Sequence, residues 1–138
     1  MTERIWCIQK SRLFQNLSAT DLAFLESRAR VRAFPKNSSI YFPSDAAESV
    51  FVLAEGRVRL YSITPDGKQA ILAIIEPGEL FGELALLGSD ERDEFAQAVG
   101  ASKVVAIPRD SVETVLLRNA ELSLAITKFV GLRRKRLA

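Results

Sequence analysis

The stretch GELFGELALLGSDERDEFAQA, residues 78–98, holds the residue types in this chain best suited to chemistry. Gly78, Glu79, Gly82 and Glu83 bracket Phe81, an apolar run follows, and Arg92 then stands between Glu91 and Asp93. Such a pattern suits the binding of an anion. Gly82 has no Cβ, so a ligand can approach its backbone closely. GELAL is expected to open a short helical turn whose N–H groups at 82–84 face the anion. Glu83 offers a carboxylate to a hydroxyl donor, and Arg92 offers a planar fork to two phosphate oxygens. The same residues also describe a plain turn in which Glu91 or Asp93 holds Arg92 in a salt bridge.

Composition narrows the alternatives. The chain has no histidine and one cysteine, Cys7. Ser-His triads, Cys-His pairs, cysteine-ligated clusters and zinc sites therefore have no ligands or bases to draw on. Carboxylate pairs are the one enzymatic ingredient present, and the reading adopted is a protein that is not an enzyme, without a metal site. Cys7 beside Trp6 reads as an apolar residue rather than a redox centre. No apolar run is long enough to span a bilayer, and MTERIWCIQK lacks a signal-peptide core, so a cytoplasmic location away from the membrane is expected. A length of 138 residues suits one domain, 1–138, with a real core.

Charge is unevenly spread. The last eleven residues, KFVGLRRKRLA, carry five bases and no acid, whereas residues 1–127 carry 14 bases and 17 acids. The basic end reads as the solvated face of a helix that runs on. A weaker reading is direct, sequence-blind nucleic-acid binding through RRKR.

Several elements must position the stretch. SATDLAFLESRA begins with Ser18 and Asp21 in the manner of a capping box, and it places Leu22, Leu25 and Ala29 on one helical face. Leu13, Phe14 and Leu17 are expected to pack against the same core. RVRAF, SSIYF and SVFVLAEGRVRLYSI then read as short strands, the last a pair turning at Glu55-Gly56. On its second half, Val58 and Leu60 face one side and Arg57, Arg59 and Tyr61 the other. TPDGK is a turn, with Pro and Gly supplying the backbone angles. QAILAII is a more continuous apolar strand closed by Pro77-Gly78, and EFAQAVG and KVVAIP follow. RDSVETVL is a short helix. Leu122, Ile126, Phe129, Val130 and Leu137 then form a helical stripe along a last helix with no stop signal before Ala138, so the helix reads as cut short. The fold class expected is α+β, mainly β: a sandwich or small antiparallel barrel between helices.

Those residues together resemble the effector domain of the Crp/Fnr family of bacterial transcription regulators, the cyclic-nucleotide-binding fold. The resemblance runs over about residues 12–138 and rests on LFQNLSATDLAFL, on FPKNSSIYFPSDAAESVFVLAEGRVRLY, on RDSVETVL and, most specifically, on GELFGELALL, which is similar to the family's phosphate-binding cassette. It implies an eight-stranded jelly roll (a double-stranded β-helix) with flanking helices over 12–117. It also implies a C-terminal helix, 120–138 here, that pairs with its copy in a homodimer through Ile126, Phe129, Val130 and Leu137. The family's helix-turn-helix domain has no counterpart after Lys128, so DNA contact is expected only through a domain outside this chain.

By the same resemblance, Gly82, Glu83 and Leu84 match the nucleotide cassette and Arg92 matches the arginine that pairs with the cyclic phosphate, so cAMP or cGMP is the candidate effector and Glu83 the partner of the ribose. Asp93 departs from the pattern, because cyclic-AMP-responsive members carry Ser or Thr there. A carboxylate cannot donate to a phosphate. Two like charges about 4 Å apart repel by roughly 4 kcal/mol at an effective dielectric near 20. If Arg92 faces inward on a strand, however, Asp93 faces outward. The expected function is therefore ligand sensing, of a cyclic nucleotide or another small effector at the 78–93 cassette, relayed through the dimer helix. The alternative is a stand-alone dimerisation module with an inert pocket.

Overall fold

The computed structural model describes residues 8, 11 and 13–135, the last two by backbone alone. Cys7 and Leu137 lie outside the described residues.

Helix α1 (Ala19–Arg28) starts at Ser18, whose side chain accepts the N–H of Asp21 at 3.1 Å. Leu22, Leu25 and Ala29 are buried on one side of it, as their spacing predicts. The strands follow as β1 (Arg30–Phe34), β2 (Ser39–Tyr41), β3 (Ser49–Glu55), β4 (Val58–Ile63), β5 (Gln69–Ile75), β6 (Leu80–Phe81), β7 (Phe95–Ala98) and β8 (Ser102–Pro108). A 3-10 turn, Glu83–Leu87, sits between β6 and β7. Two helices close the chain: α2 (Arg109–Leu116) and α3 (Ala120–Lys135).

The strands form two four-stranded antiparallel sheets, ordered β1-β8-β3-β6 and β2-β7-β4-β5. This is the jelly roll expected from the resemblance. The first sheet is the middle layer. One of its faces packs Val50, Val52, Leu80, Val105 and Ile107 against the helices. Its other face packs Phe51, Leu53, Phe81 and Val104 against Ile40, Val58, Leu60 and Ala96 of the second sheet. Strand β3 is buried on both faces, which is why SVFVLAE reads as an unbroken apolar run.

Two local expectations change. The turn at Glu55-Gly56 exists, with Gly56 at φ +91°, but β3 and β4 belong to different sheets. It is a corner of the roll rather than a hairpin. Strand β5, the continuous apolar run QAILAII, is the edge of the second sheet, with Ile71 and Ile74 about half exposed. Tyr61 does lie beside Arg59, yet it is nearly buried, stacked on Phe95 at 4.8 Å with the Arg59 guanidinium over its ring.

Asp21 does more than a capping box requires. Its carboxylate takes Arg118 at 2.5 Å and Asn119 at 3.2 Å, which ties α1 to the junction between α2 and α3. The Arg118 and Asn119 hydrogen bonds hold this carboxyl below the usual carboxylate range, outweighing the opposing effect of burial. A carboxyl with a depressed folded-state pKa contributes stability above its unfolded value, about pH 4, and loses that contribution as pH falls through the folded value. Asp21→Asn is therefore expected to flatten the acid limb of stability. The check is the urea midpoint followed from about pH 6 to about pH 2, where parallel curves for the two proteins would exclude this role.

Candidate functional site

The cassette is built by a reversal of the chain at a glycine. Strand β6 ends at Phe81, Gly82 takes the left-handed conformation at φ +73°, and the 3-10 turn begins at Glu83. Gly88, at φ +91°, ends the turn and donates its N–H to the Leu84 carbonyl. Beneath lies a layer of rings: Phe51 and Phe81 stack at 5.1 Å, and Tyr41 stacks on Phe51 at 5.9 Å.

Arg92 enters from the segment leading into β7. From 91 to 98 exposure alternates, so that Arg92, Glu94, Ala96 and Ala98 are buried while Asp93 is exposed. Arg92 is thus buried and Asp93 exposed, and an exposed charge is screened far more than a buried one. The Arg92 guanidinium lies over Tyr41 at 4.5 Å and over Phe51 at 5.3 Å. Its Nη1 donates to the Gly82 carbonyl at 2.8 Å and its Nη2 to the Ser49 carbonyl at 2.5 Å. Its Nε is buried and has no hydrogen-bond partner among the described residues. Burial lowers the Arg92 pKa, opposed by Tyr41 and the neighbouring carboxylates, and a guanidinium keeps its charge throughout. A methyl group at Gly82 would stand 2.8 Å from Arg92 Nη1 and 3.0 Å from the Phe51 ring, so glycine is what lets the arginine close on the cassette.

Two partners of this arginine were not legible as site residues. Tyr41 donates its hydroxyl to Glu94 at 2.7 Å. Burial, reinforced by Glu94, pushes the Tyr41 pKa well above its ordinary value, so the phenol stays a neutral donor. Glu94 follows Arg92 by two positions in the segment leading into β7, where alternate residues are buried. Tyr41 and Ser49 come from other strands, and nothing local in the sequence connects them to Arg92.

Glu83 does not face solvent. It is 4% exposed, and its carboxylate holds Arg133 of α3 at 2.9 Å. The Arg133 guanidinium also covers the Phe129 ring at 4.3 Å. Leu84 packs partly against the helix-side core. The structure thus brings Gly82, Glu83 and Arg92 together, places Leu84 at their edge, leaves Asp93 exposed at the rim of the cleft, and adds a contact from the last helix that sequence reasoning missed. Tyr41, Ala47, Gly82, Leu84, Ala85 and residues 91–94 line a small cleft of about 10 Å³, room for about one water molecule and far below the volume of an ordinary ligand pocket.

Two residues of the stripe on α3 lie within the chain's own core. Ile126 is 1% exposed and Val130 5%, both in the chain's own core, with Phe129 packed against it. Ile126 and Val130 have almost no surface left for a partner subunit. The outward apolar residues of α3 are Leu124 and Leu132. A helical stripe marks a buried face without saying what buries it.

Comparison with known proteins places the domain in a family. The family model for the cyclic nucleotide-binding domain matches residues 31–119, and the chain belongs to that family. It is similar to the cyclic AMP receptor protein of Thermus thermophilus (32% identity over 78% of this chain and 50% of the relative). It is also similar to the global nitrogen regulator of a Nostoc species (34% identity over 71% of this chain and 45% of the relative). The chain thus spans about half the length of these curated relatives, and the domain matches regulators of the Crp/Fnr family, not enzymes. The crystal structure of the sensor domain of the transcriptional regulator DNR from Pseudomonas aeruginosa superposes with a TM-score of 0.84 at 24% identity, covering 98% of this chain and 93% of that one, and shares the fold. Among the described residues no helix is long and apolar enough to cross a membrane, and no group of three or more His, Cys, Asp or Glu is placed to hold a metal ion.

Proposed function

We propose that this domain senses a cyclic nucleotide, cAMP or cGMP, at the 78–93 cassette and passes the event to α3, as the cytoplasmic effector module of a Crp/Fnr-type transcription regulator that acts as a homodimer. The observation that carries this reading is the convergence at Gly82. The glycine's backbone reversal, the buried Glu83 carboxylate and the Arg92 guanidinium meet at one point, and Arg92 Nε is a buried donor without an acceptor among the described residues. A cyclic phosphate supplies acceptors for Arg92, and a ribose supplies a hydroxyl for Glu83.

Arg133 supports the relay. Because Glu83 already holds this residue of α3, a ribose that takes a share of the Glu83 carboxylate changes how the helix is tied to the cassette. A ligand shifts such an equilibrium only by its difference in affinity for the two arrangements. Leu124 and Leu132, exposed on α3, are the residues proposed to meet the second subunit, and a DNA-binding domain carried elsewhere would read the change.

A second reading, a dimerisation module with an inert pocket, is favoured by one observation: Arg92 is already bound to two carbonyls in a small space. Calorimetric titration with cAMP and with cGMP separates the two, using the parent chain, Glu83→Gln and Asp93→Ser. The parent is expected to bind, Glu83→Gln to weaken binding by roughly tenfold, and Asp93→Ser to change it little because position 93 faces solvent. Binding by Asp93→Ser alone would show that the carboxylate at 93 repels the nucleotide. Silence from both the parent and Asp93→Ser would establish the inert module.

A further inference from the structure

Among the described residues four charged side chains are buried: Asp21, Glu83, Arg92 and Glu94. Asp21 is held by Arg118, and Glu83 by Arg133. The other two, Arg92 and Glu94, are each 8% exposed and carry opposite charges. A buried charge is costly without an opposite one nearby, so each of this pair can offset the other.

One ring brings them together. The Arg92 guanidinium lies over Tyr41 at 4.5 Å, and the hydroxyl of the same ring donates to Glu94 Oε2 at 2.7 Å. Arg92, Tyr41 and Glu94 line the cleft beside Gly82. The two terminal nitrogens of Arg92 are bonded to carbonyls, which satisfy donors but leave the charge to be balanced from farther away. Burial lowers the Arg92 pKa, and Tyr41 and Glu94 oppose that shift. In a site shielded from water a charge acts strongly across the length of a phenol ring. Asp93 also borders the cleft, but it is exposed and screened. The carboxylate buried beside Arg92 on its own segment is Glu94, two residues on.

We infer that Glu94 is the internal counter-charge of Arg92 and sets which anions the cassette admits. A phosphate must compete with this carboxylate for the guanidinium, so a singly charged phosphodiester is tolerated and a doubly charged phosphomonoester is refused. The ligand side of this inference rests on the reading proposed above. Repulsion from a fixed carboxylate grows in proportion to the charge of the ligand. A cyclic phosphate is a diester with a single negative charge, whereas a monoester carries about 1.5–2 near neutral pH. Loss of the Glu94 charge therefore helps the monoester more than the diester, and it leaves a buried cation that even inorganic phosphate can satisfy.

The test uses the 138-residue chain and three variants. Glu94→Gln removes the charge but keeps the volume and an acceptor for Tyr41, Glu94→Ala also makes room, and Asp93→Asn is the exposed control. Melting temperature is followed as inorganic phosphate replaces chloride at constant ionic strength, and cAMP and ring-opened AMP are titrated by calorimetry. Phosphate is expected to raise the melting temperature of Glu94→Gln and to leave the parent and Asp93→Asn nearly unmoved. Affinity for cAMP should rise about tenfold in Glu94→Gln and affinity for AMP about a hundredfold, roughly one factor of ten per unit of ligand charge. An equal response of parent and Glu94→Gln to phosphate would overturn the inference and leave Glu94 as the acceptor of Tyr41. A response confined to Glu94→Ala would overturn it as well, because room and not charge would then be limiting. If phosphate stabilises Glu94→Gln but no protein takes cAMP, the counter-charge stands and the cyclic nucleotide reading falls. If cAMP binds parent and Glu94→Gln alike and phosphate does nothing, the reading stands and the inference falls. Should Glu94→Gln not fold, Arg92→Gln is compared with Arg92→Gln/Glu94→Gln. With the cation gone, loss of the carboxylate should lower the melting temperature no further, and a further fall would show that Glu94 acts independently of Arg92.

Discussion

Arg92→Ala is expected to lower the melting temperature by roughly 6–12 °C, beyond any effect on ligand binding. In this fold Arg92 is a post as well as a binding group. Its two terminal nitrogens satisfy the Gly82 and Ser49 carbonyls, which belong to the cassette and to β3, and its plane covers Tyr41 and Phe51. Removal strands two partly buried carbonyls, each costing about 1–3 kcal/mol, and forfeits the cation–π contact. Relief of the guanidinium's own desolvation offsets part of this, leaving about 3 kcal/mol, and each kcal/mol is worth about 2–4 °C in a domain of this size. Nucleotide affinity is expected to fall by more than about a hundredfold in the same variant. Arg92→Lys should recover part of the stability, since one ammonium can reach one carbonyl but cannot span both. Melting curves for the three proteins decide the matter. A variant that melts with the parent would mean the two carbonyls find other partners, and the cassette would then not depend on its arginine for its shape.

Gly56→Ala should be the most damaging small substitution in the roll, by about 4 kcal/mol or more. Gly56 turns the chain from one sheet into the other at φ +91°, a conformation that costs an L-residue about 1–2 kcal/mol. An added Cβ would also stand 2.3 Å from Ser102 Oγ, 2.6 Å from the Ala101 carbonyl and 2.8 Å from Ser102 Cα. Two of these three atoms are backbone, so the strain cannot be relieved by a side-chain rotation. The third is a hydroxyl already engaged by the Arg57 N–H. Gly67→Ala is the matched control: its φ is +85°, but a Cβ there meets nothing within 4 Å. It should cost only the backbone term, about 1 kcal/mol. Urea midpoints that fall equally for the two variants would assign the whole effect to backbone conformation and none to the close approach of Ser102.

The two variants bear on different properties. Gly56 holds the two sheets in relation to each other, and its loss should impair folding whether or not the domain has a ligand. Arg92 joins the cassette to β3, so its loss is expected to disturb the site first and the fold through the site. Glu83→Gln leaves the backbone fixed by Gly82 and probes the carboxylate, whose loss also weakens the tie to Arg133.

Much of this was written in the order of the residues. Alternation and short apolar runs between Pro and Gly turns announced the strands, Ser18 announced the start of α1, and TPDGK announced the turn that closes on Thr64 and Lys68. Those features depend on neighbours within a few positions, so local pattern suffices. Gly82, Glu83, Leu84 and Arg92 could be picked out because they lie within one contiguous stretch, and alternation on a strand, had it reached that far, would set Asp93 opposite Arg92. Which strands would share a sheet was not legible. Val58 and Leu60 carry the same alternating pattern whether β4 pairs with β3 or, as it does, with β5 and β7, and only the packing of two layers chooses. Ile126 and Val130 formed a stripe that fits a subunit interface and a domain core equally well, and the position of α3 against the first sheet assigned it to the core. The Arg133–Glu83 pair joins residues fifty positions apart, and Tyr41 and Glu94 meet across fifty-three. The sequence by itself put Gly82, Glu83 and Arg92 into one short stretch suited to an anion. Tertiary structure alone decided that this arginine is stacked on rings and shared between two carbonyls, and that the glutamate beside it is held by the last helix, because those contacts arise only when distant strands and α3 close around the same glycine.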